Sequence, residues 1–260
     1  MPEAELVWDY EVHASPEVAE RYGMASARIG GGVALAVRDD VTEYWSKALG
    51  LGFEEPVTAK LVTSILDFYR ENGNKFAMLQ LAPSVLPVDW EEICAAEGLV
   101  AESSWVKLSR STGQVVMPET SLRVAEVDVH DAEEWAAVLV QGFGMPQEQV
   151  APAVQGAAGL PGWSMFGAFD GDRMVAAAGL MVRGDVAEIA GASTLPEFQR
   201  RGAQSALLAA RIRKAAAAGA TLLSVETAVP AEGTRSISLN NLLRAGFKIR
   251  YERQNWTWRA

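Results

Sequence analysis

Residues 186–219 read VAEIAGASTLPEFQRRGAQSALLAARIRKAAAAG, and this segment has the clearest structural pattern in the chain. Residues 186–194 favour a strand that is bounded by Gly184 and Pro196. Residues 203–218 favour an alanine-rich helix that ends at Gly219. The spacing predicts a buried face and a solvent face for this helix, the first formed by Leu207, Leu208, Ile212 and Ala215 and the second by Arg211, Arg213 and Lys214.

The sequence around this segment predicts further strands of the same sheet. Residues 221–227 favour a strand, so that strand, turn, helix and strand form a βαβ unit. Residues 163–169 and 173–182 favour a hairpin across a glycine-containing turn. The remaining elements expected here are a helix that Asp131 caps and that ends at residue 141, a helix at 238–245, and strands at 247–250 and 255–258. The predicted fold class is α/β (α+β), with a mixed central sheet flanked by helices.

The N-terminal half has a weaker pattern of the same kind. Its predicted elements are helices at 41–48, 58–71 and 90–96 and strands at 33–37, 76–81 and 105–108. The order of elements from 58 to 98 parallels that of the C-terminal half, and both halves close on a strand that contains tryptophan. We interpret this as an internal duplication into two similar halves. The predicted domains are 1–117 and 118–260, with a linker near 111–118.

Composition limits the classes of partner. The chain has 260 residues, of which 49% are hydrophobic, so it can bury a substantial core. Its 23 basic and 33 acidic residues give a net charge of −10, which disfavours nucleic acid and anionic membranes and favours an amine partner. The first 25 residues lack a long apolar run, which predicts a cytoplasmic protein. Cys94 is interpreted as a packing residue, and with only His13 and His130 as histidines no metal site is expected.

The turn between the strand and the helix of the opening segment is a candidate anion site. Gly202 lets the backbone approach a ligand closely, and the first residues of the helix have N–H groups without helical acceptors. These donors and the positive end of the helix dipole suit a pyrophosphate. Arg200 and Arg201 add positive charge beside it. The same combination also occurs by chance, so the turn alone does not establish the site.

The wider constellation resembles the GNAT acetyltransferase superfamily. Residues 187–203 and Arg244-Ala245-Gly246-Phe247 carry the resemblance, and the turn follows the form Gln/Arg-x-x-Gly-x-Gly/Ala except that Gln204 replaces the small residue. The resemblance covers about half of the chain and implies acetyl-CoA as co-substrate. The residues that it assigns to the cofactor are Ala192, Ser193 and Thr194 along the pantetheine arm, Gln199, Arg200, Arg201, Gly202, Ala203, Gln204 and Ser205 at the pyrophosphate, and Asn241 in the helix before Gly246.

The same resemblance implies that Glu188 is the catalytic residue, a general base that acts through water. A base is needed because an ammonium must lose a proton before its nitrogen attacks a thioester. Glu188 could instead be a strand carboxylate paired with an arginine, and Asp185 and Glu226 are fallback candidates. Many family members have a tyrosine as general acid four residues before the Gly-Phe pair. Leu242 occupies that position here, which leaves the acid unassigned.

The N-terminal half lacks an equivalent pyrophosphate turn. At the corresponding place residues 52–58 read GFEEPVT, where two carboxylates and a proline should repel a pyrophosphate. We therefore predict one cofactor site per chain. The predicted function is transfer of an acetyl group from acetyl-CoA to a primary amine of a small molecule or peptide. A CoA- or amine-binding module without turnover and an acyltransferase for another acyl-CoA stay open, as do a monomer and a homodimer.

Overall fold

Two units account for the part of the chain that the computed structural model describes, which is residues 2–12, 14–230, 233–234 and 236–260. The N-terminal unit comprises Glu3–Lys107 and Tyr251–Ala260, and the C-terminal unit comprises Leu108–Arg250. None of the described helices is both long and apolar enough to cross a lipid bilayer. The duplication and the division at residue 117 stay predictions.

The N-terminal unit is a sheet with helices packed on it. Its elements are α1 (Pro2–Val12), α2 (Pro16–Tyr22), β1 (Met24–Ile29), β2 (Gly32–Val37), β3 (Lys47–Leu49), α3 (Ala59–Glu71), β4 (Phe76–Gln80) and α4 (Trp90–Glu97). It also contains most of β5 (Val100–Ser111) and most of β11 (Lys248–Arg259), the last strand of the chain. The strand order is β1-β2-β3-β4-β11-β5. Helices α3 and α4 bury Ile65, Leu66, Tyr69 and Trp90 against alternate residues of the strands, as the helical and strand periodicities predict.

The predicted helix at 41–48 is wrong. The carboxylate of Asp40 accepts hydrogen bonds from the backbone N–H groups of Thr42 at 2.8 Å, Tyr44 at 2.8 Å and Trp45 at 2.7 Å, which folds this stretch into a turn. Glu43 within the turn has a φ of 52°, outside the helical region. An aspartate that bonds to the following N–H groups competes with a helix, and the chain then enters the short strand β3.

The two strands predicted at 247–250 and 255–258 are one continuous strand, β11. A polar run lies between the two predicted strands, and Arg253 and Asn255 of this region are buried and hydrogen-bonded inside the sheet. Arg253 donates to Oε1 of Gln80 at 2.8 Å, and Nε2 of Gln80 donates to Oδ1 of Asn255 at 3.0 Å. A partner residue 173 positions away in the chain therefore allows a polar strand that local pattern disfavours.

The C-terminal unit contains residues 186–219, the segment with the clearest sequence pattern. Its elements are β6 (Arg123–Val127), α5 (Ala132–Gly142), α6 (Gln147–Gln155), β7 (Trp163–Asp170), β8 (Arg173–Arg183), β9 (Val186–Thr194), α7 (Ala203–Ala217), β10 (Leu222–Ala228) and α8 (Ile237–Arg244). The strand order is β5-β10-β9-β8-β7-β6. The predicted hairpin β7–β8 and the β9–α7–β10 unit are confirmed, with β9 and β10 parallel. Asp131 immediately precedes α5, but its side chain makes no capping hydrogen bond.

Two irregularities in this sheet bear on the site. Antiparallel pairing of β8 with β9 skips Gly191, because Ala178 pairs with Ala192 and Gly179 pairs with Ala190. Such a bulge bends the strand and breaks the regular hydrogen-bond ladder. Parallel pairing of β9 with β10 covers only the first three residues of each strand and ends at Glu188 opposite Ser224. Both strands are described over their whole length, and beyond that pair they are no longer paired with each other. We refer to this point as the divergence of β9 and β10.

Candidate functional site

The turn before α7 leaves the start of the helix open. After a single turn of 3-10 helix at Pro196–Phe198, Arg200 has a φ of 63° and Gly202 has a φ of 84°. The first helical hydrogen bond runs from the N–H of Ala206 to the carbonyl of Gly202 at 3.0 Å, so the N–H groups of residues 203–205 precede it. No described side chain caps this helix. These donors are therefore positioned to bind an anion.

Gly202 is required here for two reasons. A residue with a side chain rarely adopts its positive φ. A Cβ atom at this position would also lie 3.0 Å from the carbonyl oxygen of Glu119. The chain at 119–122 is held against the turn, since the hydroxyl of Thr120 donates to the carbonyl of Arg201 at 2.7 Å and accepts from the N–H of Leu122 at 3.1 Å.

Arg201 binds the β7–β8 hairpin. Its two terminal nitrogens donate to the two carboxylate oxygens of Asp170 at 3.0 Å and 2.8 Å, a bidentate pair. The pair lowers the pKa of Asp170 below its ordinary value and raises the pKa of Arg201. A second pair, Arg173 with Glu197 at 3.0 Å, joins the same two segments. The charge of Arg201 is thus compensated by Asp170. Arg200, the neighbouring arginine, is exposed to solvent.

The end of β9 is fixed by its side chains. The hydroxyl of Ser193 donates to the carbonyl of Val138 in α5 at 3.2 Å. The amide of Gln204, at the second position of α7, donates to the hydroxyl of Thr194 at 2.9 Å. Gln204 departs from the small residue of the GNAT pattern, and this contact gives it a role, because it ties the start of the helix to the end of the strand.

Glu188 is buried, with 4% of its surface exposed, at the last pair before β9 and β10 diverge. The two fallback candidates have different surroundings. Asp185 is exposed, and its carbonyl accepts the N–H of Thr221 at 2.7 Å, which joins the starts of β9 and β10. Glu226 is half-buried in β10, two residues beyond the last pair. Of the three carboxylates, only Glu188 combines burial with a position at the divergence.

Helix α8 holds the remaining predicted position. Asn241 is half-buried, and its side-chain oxygen accepts from Arg244 of the same helix at 3.2 Å. The described contacts of Asn241 do not include the turn before α7. Leu242, at the position of the usual tyrosine, is 6% exposed and packs in the interior.

The prediction that Arg211 faces solvent is wrong. Arg211 is 2% exposed, and its Nη1 donates to the carbonyls of Gly179 and Ala190 at 3.0 Å each, on the two strands that form the bulge. The sequence contains the signal for this position. Arg211 lies four residues from both Leu207 and Ala215, so helical periodicity places it on the buried face that they define.

Other candidate groups lie outside this site. Within the described residues, no three or more His, Cys, Asp and Glu side chains are grouped to hold a metal ion. His13 lies outside the described residues, and His130 is exposed beside the start of α5. Cys94 is buried in the core of the N-terminal unit, as its interpretation as a packing residue expects, and burial raises the pKa of its thiol to about 11.

Sequence comparison identifies a domain of the GNAT acetyltransferase family in the C-terminal half of this protein. Residues 134–239 match the model of the Acetyltransferase (GNAT) family, which places the GNAT domain in the C-terminal half. This range includes β9, the turn and α7. No functionally curated protein matches the chain.

Solved structures extend the likeness of fold to the whole chain. A GCN5-related N-acetyltransferase from Kribbella flavida aligns with a TM-score of 0.63 at 18% identity, covering 93% of each chain. One from Sphaerobacter thermophilus aligns with a TM-score of 0.63 at 12% identity, covering 100% of this chain and 93% of the other. A tandem GNAT protein from the clavulanic acid biosynthesis pathway aligns with a TM-score of 0.60 at 14% identity, covering 99% and 95%. The fold is therefore that of a tandem GNAT protein.

Proposed function

We propose that the C-terminal unit binds acetyl-CoA and transfers its acetyl group to a primary amine. The observation that carries this proposal is the order in which two structural features follow each other along residues 186–205. Strand β9 loses its partner β10 after Glu188, and the chain then reaches a helix whose first N–H groups no described side chain caps. A gap between strands accepts an amide-containing chain, and the open helix start accepts a pyrophosphate. GNAT acetyltransferases take their acyl group from acyl-CoA, which contains both.

The proposed cofactor contacts use backbone groups. Residues 192–194 pair with the amides of the pantetheine arm, in the place that β10 leaves open. Amides of residues 200–205 bind the pyrophosphate, with Arg200 as the nearby exposed cation. The side chains of Ser193, Thr194, Arg201 and Gln204 have partners within the protein, so they shape the site. For Asn241 we propose a contact with the cofactor on the resemblance alone.

Glu188 is the proposed general base. Its backbone is in the last β9–β10 pair, directly before the stretch that would hold the acyl end of the cofactor, and its side chain is buried. In this position it can remove a proton from the acceptor ammonium through a water molecule. The free amine then attacks the thioester carbon, the C–S bond breaks, and the proton that the nitrogen loses as the amide forms balances the charge of the departing thiolate, so that CoA is released as the thiol.

The acceptor is proposed to bind beside residues 142–162, which hold α6 and vary freely in folds of this kind. The net charge of −10 favours a cationic acceptor, such as a polyamine, an aminoglycoside-like amine or a peptide N-terminus. We propose that the N-terminal unit binds no second cofactor.

One observation favours a second candidate, a module that binds CoA without turnover. The position of the usual acid is a buried leucine, Leu242, so no hydroxyl is available there to protonate the departing thiolate. The two candidates are separated by titrating the full-length protein with acetyl-CoA in a calorimeter and then measuring thiol release over a panel of amines. Binding followed by amine-dependent thiol release supports the enzyme. Binding alone supports the module, and absence of binding contradicts both.

The role of Glu188 is tested by Glu188→Gln, which keeps the size of the side chain and removes the base. We expect kcat to fall on the order of 10²-fold. The loss should be greatest at low pH, where the amine is hardest to deprotonate. The matched control is Asp185→Asn, an exposed carboxylate at the start of β9, which should leave the pH profile unchanged. An unaltered profile in Glu188→Gln would assign the base to another group.

A further inference from the structure

Arg211 is a cation buried inside the C-terminal unit. It is 2% exposed, and every acceptor that its guanidinium contacts among the described residues is a backbone carbonyl. Burial lowers its pKa to about 9, with no carboxylate among the causes. A buried charge without an opposite charge is costly. Filling the core does not explain why an arginine is here.

The carbonyls that it binds belong to the bulge. Nη1 donates to Gly179 on β8 and to Ala190 on β9, each at 3.0 Å, and these two residues are the last regular pair before Gly191 is skipped. Nε donates to the carbonyl of Leu207 in the same helix at 3.2 Å, which fixes the guanidinium to α7. One nitrogen thus bridges both strands where the ladder is irregular.

The bulge is also held by α5. The indole of Trp135 is fully buried and donates to the carbonyl of Ala178 at 3.3 Å. The ring of Trp163 lies so close to Gly179 that a Cβ there would be 2.5 Å from it. Side chains from two helices and a neighbouring strand therefore determine the backbone position at this point of the sheet.

A carbonyl and the next N–H lie in one planar peptide unit. Fixing the oxygen of Ala190 consequently fixes the direction of the N–H of Gly191. Gly191 is exposed, and it lies three residues beyond the last β9–β10 pair, in the stretch where the proposed function places the acyl group. An amide held in a fixed direction stabilises the charge that develops on a thioester oxygen better than a mobile one.

We propose that Arg211 is a positioning residue for acyl transfer, which holds the Ala190–Gly191 peptide so that the Gly191 N–H meets the carbonyl oxygen of bound acyl-CoA. This inference rests on the proposed function. It assigns a role in the reaction to a side chain that does not touch substrate.

The test compares Arg211→Met with Arg213→Met in the full-length protein. Both variants remove an arginine from α7, but Arg213 is exposed and has no described contact with the bulge. For Arg211→Met we expect a Tm similar to that of the wild type, because relief of the buried charge offsets the loss of its hydrogen bonds to carbonyls. The Kd for CoA should stay within about threefold, and kcat should fall about 10- to 100-fold, the usual effect of misplacing one polarising donor. Arg213→Met should match the wild type in all three.

A spectroscopic measurement detects positioning without turnover. The stretching frequency of the thioester carbonyl in ¹³C-labelled acetyl-CoA should fall on binding to the wild type, and this fall should be smaller in Arg211→Met. Should Arg211→Met not fold, Arg211→Lys replaces it, since a lysine keeps the charge but cannot reproduce the guanidinium geometry. We expect an intermediate kcat and frequency for that variant.

The outcomes distinguish the two proposals. A wild type that binds no acetyl-CoA overturns both. Binding with a lowered carbonyl frequency but without turnover contradicts the enzyme and still supports the positioning role if Arg211→Met loses the shift. An active wild type whose Arg211→Met variant keeps kcat and frequency, or loses Tm and CoA affinity together with activity, overturns the positioning role alone.

Discussion

Helices α3 and α7 are long helices that each follow a glycine-containing turn, but their N-termini differ. At α3 the hydroxyl of Thr58 accepts the N–H of Leu61 at 3.2 Å, so the chain itself satisfies one of the free donors. At α7 the residue in the capping position is Gly202, which has no side chain to offer. The helix dipole has the same sense at both places, and of the two helices α7 is the one whose first donors no described side chain caps.

The charges before the two helices differ in the same sense. Glu54 and Glu55 are exposed ahead of α3 and Pro56 supplies no N–H, so this turn repels an anion. Ahead of α7, Arg200 is exposed, and the carboxylate of Asp170 is neutralised by Arg201. A helix start alone therefore does not predict an anion site. What distinguishes α7 is a missing cap together with a turn whose neighbouring acids, Asp170 and Glu197, are each paired with an arginine.

The largest expected effect comes from Gly202→Glu, which gives α7 both a side chain and a negative charge at the site. The new residue must adopt a φ of 84°, its Cβ lies 3.0 Å from a carbonyl oxygen, and its carboxylate repels a pyrophosphate. We expect the Kd for acetyl-CoA to rise at least about 100-fold, roughly 2.7 kcal/mol. Isothermal titration calorimetry measures this change.

Gly219→Glu is the matched control for the backbone strain. Gly219 ends the same helix with a φ of 90°, and nothing lies within 4 Å of a Cβ placed there. It carries a similar conformational cost without approaching the proposed site, so its Kd should stay within about twofold of the wild type, since the charge at the opposite end is screened. If Gly202→Glu binds acetyl-CoA normally, the pyrophosphate is elsewhere.

A smaller effect is expected from Ser205→Asp, which makes the start of α7 resemble that of α3. An aspartate at the third helical position can accept the free N–H groups of its own helix and interacts favourably with the dipole. The free energy of unfolding should therefore rise by about 0.5 kcal/mol. Affinity for acetyl-CoA should fall about tenfold, because the new carboxylate competes with the pyrophosphate for the same donors.

Two control variants test whether the loss of affinity and the gain of stability in Ser205→Asp have this common cause. Ser205→Ala removes the hydroxyl without adding charge and should change neither quantity by a large amount. Thr58→Ala makes the reciprocal change at α3, where loss of the cap should cost about 1 kcal/mol of stability and leave the Kd unchanged. A Thr58→Ala variant that loses CoA affinity would contradict the proposal of a single cofactor site.

The local sequence pattern was sufficient to predict the bounds of the strand and the helix around the turn before α7. Strand β9 has the predicted bounds, and the predicted helix at 203–218 differs from α7 by one residue. These elements are determined by the spacing of apolar residues and by glycines, and all of these residues lie close together in the sequence. The same reasoning missed α1, α2, β1, β6 and α6, whose short or irregular patterns become ordered through packing.

Contacts between distant residues were beyond local pattern. Gln80 makes the polar centre of β11 possible from 173 residues away, and Asp40 redirects a stretch whose composition favoured a helix. Gly202 is predicted as a site residue from its neighbours, but the sequence did not indicate that Arg201 binds Asp170 or that the carbonyl of Glu119 lies beside the glycine. The wrong prediction for Arg211 has a different origin. Its helical spacing indicates burial, whereas its charge indicates exposure to solvent, and the spacing is the correct signal.

The smallest expected effect is the pH dependence of the pair that supports the α7 turn. Hydrogen bonding to Arg201 holds the pKa of Asp170 below its ordinary value of 3.8 in the folded protein. A carboxyl whose pKa is lower in the folded state contributes stability above its unfolded pKa, and that contribution is lost as the pH falls through the folded pKa. Asp170→Asn should therefore have a slightly lower Tm than the wild type at pH 6, and the two should converge as the pH falls below 3.8.

Differential scanning calorimetry of the wild type and Asp170→Asn across this pH range measures the difference. The ion pair is at the surface, so the gap in Tm should also shrink in high salt. A gap in Tm that persists at low pH would show that the substitution disturbs the hairpin for a reason other than the lost ion pair, because the carboxyl of Asp170 is then protonated in the wild type as well.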